Sequence, residues 1–144
     1  MSTRQFCTFE VAGLLLGVDV LDVQEVIRYH PMTRVPHAPA VVRGLINLRG
    51  QIVTALDLRM RLGLPERAEG ELPMNVVVRT EGGAVSLLVD TIGDVLEAEE
   101  SSLAPPPETL RGPARVLVRS VCKLQDRLLL ALDVARTVDI TPRS

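Results

Sequence analysis

The sequence predicts an all-β fold with short helical pieces, built as small barrels. Three observations carry this expectation. Aliphatic runs of strand length follow one another at close spacing, each closed by Gly, Asp or Pro. Large aromatics are nearly absent, since Phe6, Phe9 and Tyr29 are the only ones, so Val, Leu and Ile must fill the core. Finally, "RGLINLRGQIVTALDL" at 43–58 matches "RSVCKLQDRLLLALDV" at 119–134 without a gap, so one unit occurs twice.

The elements follow in order. "QFCTFEV" (5–11) and "LLLGVDV" (14–20) flank Ala12-Gly13, a tight hairpin connection. "VQEVI" (23–27) comes next and is echoed by "IGDVL" (92–96). "HPMTRVPHAP" (30–39) is a connection stiffened by its prolines. It leads to "GLINLR" and "QIVTALDL", which meet at Arg49-Gly50, and Asp57 then caps a helix of two turns or less in "LRMRLGL". The second copy repeats the plan. "PMNVVVRT" and "AVSLLVDTI" flank "EGG" (81–83), where glycine supplies the positive φ a hairpin needs. "LAPPPETLRGP" (103–113) is the second proline loop, the next strand pair turns at Gln125-Asp126, and Asp133 caps "VARTV". The unit is about seventy residues long. The matched parts of its two copies span roughly 14–64 and 84–138 within one domain, 1–144.

Composition narrows the function. Sixteen basic residues against eighteen acidic leave a net charge of −2, which gives no footprint for DNA, RNA or an anionic membrane. No aromatic platform is present for stacking bases. "MSTRQFCTFEV" lacks the apolar core of a secretory leader, and the most apolar run, "VAGLLLGVDVL", is short and carries Asp19, so no bilayer-spanning segment is expected. Cys7 and Cys122 are too few and too distant for a disulfide framework or a zinc knuckle, and read as buried thiols of a reducing cytoplasm.

Catalytic signatures are missing as well. The chain has no P-loop, G-x-G-x-x-G, G-x-S-x-G or H-E-x-x-H. His30 and His37 sit beside prolines in one loop, without a third ligand for a metal, and read as solvated. Asp19, Asp90, Asp57 and Asp133 fall at matching places of the two copies. That suits turns and caps, whereas an acid–base pair needs two different environments. No catalytic residue, metal or cofactor is expected. The chain reads as a binding protein.

"LLLGVDVLDVQEVIRYHPMTRVPHAPAVVRGLINLRGQIVTALDLRMRLGL" resembles the first half of the CheW family of chemotaxis coupling proteins, and "VSLLVDTIGDVLEAEESSLAPPPE" with "LLLALDV" resembles its second half. The resemblance implies two SH3-like five-stranded β-barrels, interleaved and related by pseudo-two-fold symmetry. It also implies a cytoplasmic adaptor at receptor arrays on the inner face of the membrane. Such an adaptor has two partners: the regulatory domain of a CheA-type histidine kinase and the cytoplasmic tip of a chemoreceptor. The receptor site it implies comprises Val23, Gln24, Glu25, Val26, Asn47, Leu48, Arg49 and Gly50, with Val95 as a further position. Glu25 and Arg49 are expected to pair across the first barrel, either as a purely structural ion pair or as part of the binding face. The pair has no copy in the second half, where Gln125 replaces Arg49. Kinase-contacting residues are not assignable, because the sequence does not say which strands are edges. Ser86 and Ser120 stand where the family often has Gly; if those positions need positive φ, the backbone there must be rearranged. Two other functions remain open. One is a regulator that occupies kinase docking sites without a receptor, and the other is a small barrel enzyme.

Overall fold

The computed structural model describes residues 2–140. In chain order the elements are β1 (Thr3–Val11), β2 (Leu14–Asp19), β3 (Val23–Ile27), β4 (Val42–Leu48), β5 (Gln51–Asp57), α1 (Leu58–Arg61), β6 (Met74–Thr80) and β7 (Gly83–Val89). They continue with β8 (Thr91–Glu99), β9 (Leu103–Ala104), α2 (Pro113–Leu117), β10 (Val118–Lys123), β11 (Leu128–Leu132) and α3 (Val134–Val138). The fold is mostly β with short helices, as the sequence predicts.

The strands form two sheets, ordered β8-β1-β2-β11-β10-β9 and β3-β6-β7-β5-β4. These orders expose a relation between the copies. The hairpin β1–β2 corresponds to β6–β7, β3 to β8, and the pair β4–β5 to β10–β11. Exchanging the copies turns β8-β1-β2-β11-β10 into β3-β6-β7-β5-β4, which is the pseudo-two-fold relation. Each sheet therefore takes its leading hairpin from one copy and its other three principal strands from the other. The joins are the only parallel pairs among the described strands, β2 with β11 and β5 with β7. Short β9 extends one sheet beyond the symmetric five.

This exchange explains why the central strands read as unbroken aliphatic runs. Successive residues of a strand point to opposite faces, and here both faces are buried. Val76, Val78, Leu87 and Val89 pack into a shared core with Phe9, Val11, Leu16, Val18, Leu130 and Leu132 from the other sheet. Their neighbours Val77 and Leu88 point the opposite way, into a lumen with Ile46, Leu48, Val53 and Ala55. The other barrel has the matching lumen of Phe6, Ala98, Cys122, Leu129 and Ala131. Both cysteines are buried free thiols, and burial pushes that of Cys7 above its ordinary pKa.

The turns follow local chemistry. Ala12-Gly13 and Arg49-Gly50 each supply two successive positive φ angles, 51° and 83°, then 52° and 88°, which two-residue hairpins of the primed type require. At the matching point of the second copy, Leu124 N–H donates to Arg127 O at 2.8 Å, so Gln125-Asp126 forms the tip, but neither residue has positive φ. Asp57 and Asp133 cap α1 and α3, accepting from Arg59 N–H and Arg136 N–H at 3.0 Å each. Two elements lie outside the sequence expectation, both in the second proline loop: its first two residues form β9, and its end begins α2, with Pro113 in the first turn after Gly112 at φ 69°. Proline's fixed φ and missing N–H suit that position.

Ser86 and Ser120 need no rearrangement, because neither has positive φ. Ser86 is buried and donates to Asn75 Oδ1 at 2.7 Å, while Asn75 Nδ2 donates to Arg28 O at 3.0 Å. Ser120 matches Gly44, and both sit at register shifts against the neighbouring strand. Gly44 is glycine for space: a Cβ there would lie 2.7 Å from Thr33 O, on a segment bridged to Leu45.

A strap, residues 62–73, carries the chain from α1 to β6. It is pinned by charge. Arg67, almost wholly buried, donates through Nε to Asp90 Oδ1 at 3.0 Å and lies 3.8 Å from Asp57 Oδ2. Arg59 binds Asp90 through two hydrogen bonds, at 3.0 and 2.6 Å, and Ala12 N–H donates to the same carboxylate at 2.8 Å. Arg43 donates to Asp57 Oδ2 at 3.0 Å. Burial pushes the Asp90 carboxyl up, but its hydrogen bonds from Arg59, Ala12 and Arg67 outweigh that and hold its pKa at about 2.

Candidate functional site

The site residues implied by the sequence fall on β3 and on the β4–β5 turn. These strands are opposite edges of the five-stranded sheet, yet side chains join them, because the sheet rolls up. On β3 the pairing with β6 slips between Val23 and Glu25, leaving Gln24 as the extra residue of a bulge. A bulge re-aims a side chain, and Gln24 Nε2 here reaches Gln51 Oε1 at 3.2 Å, on β5. Arg49 Nη2 donates to Glu25 Oε2, so an ion pair also ties the turn to β3. The hydrogen bond from Arg49 is the main cause holding the Glu25 carboxyl below its ordinary pKa, with Gln24 adding to it. Asn47 Oδ1 accepts from Gly50 N–H at 2.9 Å and fixes the turn that carries Arg49.

Exposure separates the roles. The Arg49 side chain is 72% exposed while that of Glu25 is 20% exposed, so the guanidinium faces solvent over an inner carboxylate. Val26 is partly exposed beside them, whereas Leu48 lies in the barrel lumen and offers no side chain to a partner. Val95 lies on β8 in the other sheet, strongly exposed, and belongs to the opposite barrel. The structure thus gathers Gln24, Glu25, Val26, Asn47, Arg49 and Gly50 around one barrel end and leaves Val95 on the other barrel.

Two residues escaped the sequence reading. Gln51 joins the network, and Ile52 is 59% exposed on the outward face of β5. The alternation of β5 carried a signal for Ile52, since Val53 and Ala55 fill the lumen. Ile52 is out of step with them and presents its apolar side chain to solvent near the turn. Among the described residues, Asp94, the counterpart of Glu25, forms no ion pair with the Gln125 region. His30 and His37 lie on the exposed proline loop, and no group of three or more His, Cys, Asp or Glu among the described residues is placed to hold a metal ion. Nor is any described helix long and apolar enough to cross a membrane.

Twin interleaved barrels related by a pseudo-two-fold define a protein of the CheW type. The chain belongs to this family: the CheW-like domain model matches residues 5–141. It is 30% identical to the chemotaxis protein CheW of Bacillus subtilis over 94% of this chain and 87% of that one. The chemotaxis protein CheW of Rhizobium meliloti is 29% identical over 91% of this chain and 84% of its own. The crystal structure of the scaffolding protein TtCheW from Thermoanaerobacter tengcongensis superimposes with a TM-score of 0.87, at 27% identity, over 97% of this chain and 95% of that one.

Proposed function

We propose that this chain is a non-catalytic adaptor that couples chemoreceptors to a CheA-type histidine kinase and helps assemble their arrays at the inner face of the membrane. One partner is the kinase regulatory domain and the other is the receptor's cytoplasmic tip. The observation that carries the reading is the face at the β4–β5 turn, present on one barrel only, in a chain of this family. Arg49 over Glu25 supplies a charged anchor, Gln24 and Gln51 supply hydrogen-bonding groups, and Val26 and Ile52 supply apolar area. A few central residues dominate such interfaces. Val95 is the position on the second barrel through which the receptor contact would extend.

The test is calorimetric titration with the kinase regulatory domain and, separately, with a receptor cytoplasmic fragment. It is repeated on Arg49→Ala once circular dichroism shows that variant folded. The adaptor reading expects wild type to bind both ligands and the variant to lose at least tenfold in receptor affinity alone. Kinase binding without receptor binding would favour a regulator that competes for kinase docking sites. Binding to neither would sink the proposal.

A further inference from the structure

The barrel that carries the β4–β5 turn has a seam. Its sheet begins at β3 and ends at β4, and among the described residues no backbone pairing joins β3 to β4 or β5. Side chains cross the seam instead. Arg49 donates to Glu25, and Gln24 Nε2 donates to Gln51 Oε1 at 3.2 Å. Gln51 is the first residue of β5 and pairs with Leu48 across the turn that carries Arg49 and Gly50. A tie from Gln51 to β3 therefore fixes how far that turn stands from Glu25.

Gln24 is the residue that the tie controls. As the extra residue of the bulge it has no partner in the register with β6, so the ladder does not orient its side chain. Its carboxamide nitrogen carries two hydrogens. One is spent on Gln51 Oε1, and the other serves Glu25 Oε2, 3.5 Å away. Arg49 first, and Gln24 after it, hold the Glu25 carboxyl below its ordinary pKa against the opposing effect of burial. Removing the acceptor on Gln51 frees the amide to turn to solvent and takes a donor away from Glu25.

The second barrel has neither member of the tie. Gly93 stands at the place of Gln24, where a Cβ would lie 2.7 Å from Thr8 Oγ1. Arg127 stands at the place of Gln51 and turns to the β1–β2 hairpin, donating to Glu10 Oε2 and Gly13 O at 3.1 Å each. The tie belongs to the barrel that bears the Arg49–Glu25 pair.

We propose that Gln51 is a positioning residue of the receptor-docking face: it acts through Gln24, which sets Glu25 and so the reach of Arg49. Its effect on the partner is indirect. This inference rests on the receptor-coupling reading, but its first test needs no receptor.

Gln51→Met keeps the length of the side chain and removes the acceptor, while Gln24→Met removes the donor. In the free chain the Glu25 carboxyl, followed by carbon-13 chemical shifts, should titrate at higher pH in either variant than in wild type. An unmoved titration in Gln51→Met would overturn the proposal. Against the receptor cytoplasmic fragment, each single variant should lose about fivefold in affinity, the worth of one ordinary hydrogen bond. The double variant should lose no more than either, because both changes break one link. Affinity for the kinase regulatory domain should stay as in wild type. Losses that multiply in the double variant would mean that Gln51 meets the partner directly, which overturns positioning. Unchanged receptor affinity beside a moved titration would overturn it as well. If wild type itself does not bind the fragment, the receptor reading falls and the titration alone decides whether Gln51 positions Glu25.

Discussion

Asp90 and Asp19 occupy matching positions, yet only Asp90 is clasped by two arginines and a backbone amide. Its folded pKa of about 2 lies below the ordinary 3.8, so the carboxylate form stabilises the fold. That contribution is complete above the unfolded value and fades as pH falls through the folded one, between about pH 4 and pH 2. It amounts to roughly 2 kcal/mol. Asp90→Asn should therefore cost about that much at pH 7, with the gap to wild type closing near pH 2 in urea unfolding curves. Gly44 makes a second residue-scale case, because any Cβ meets Thr33 O at 2.7 Å. Gly44→Ala is expected to lose about 2 kcal/mol or more, while Ser120→Gly at the matching place should change stability by less than about 1 kcal/mol. Little of this was legible beforehand. In the sequence both aspartates look like repeated turn or cap residues, and no motif surrounds Arg67. Its burial depends on two aspartates far apart in sequence.

Hairpins and caps were the most legible elements, because their signals are local. Ala12-Gly13 and Arg49-Gly50 mark turns by composition alone, and each aspartate after "AL" caps its helix. The left-handed φ of 52° at Arg49 was not legible, since arginine does not advertise it. An L-residue there is strained by about 1–2 kcal/mol, and its exposed ion pair returns at most about 1 kcal/mol. Arg49→Gly should thus match or exceed wild type in thermal stability while losing receptor affinity. That outcome would separate binding from folding more cleanly than alanine does. The two caps also differ. Asp133→Ala is expected to cost about 1 kcal/mol, the usual value of a cap. Asp57→Ala should cost about 3 kcal/mol, because it removes the cap and also the buried carboxylate to which Arg43 donates, while Arg67 keeps its hydrogen bond to Asp90. Chemical denaturation of the two variants side by side reads the difference. Helix α2 went unseen because its proline opens a helix, and the three prolines just before it made the stretch read as loop.

At the scale of the whole molecule the repeat was legible as matched residues, but the exchange of strands between copies was not. Pairing of β2 with β11 and of β5 with β7 joins segments far apart in the chain and leaves no periodic mark on either. The aliphatic runs signalled burial on both faces, without saying which partner lay on each. Since each barrel is completed by the other copy, neither half has a barrel of its own. Residues 1–73 expressed alone should lack ordered β-structure by circular dichroism, and mixing with residues 74–144 should restore it. Folding of either half by itself would contradict this account. A further consequence concerns ancestry. A single unit of this kind, made as a free-standing gene product, would be an obligate homodimer whose protomers trade arms. Joining two such genes end to end turns the dimer into a monomer, and the two sites that symmetry once kept identical are then free to diverge. The lone Arg49–Glu25 pair is the mark of that freedom.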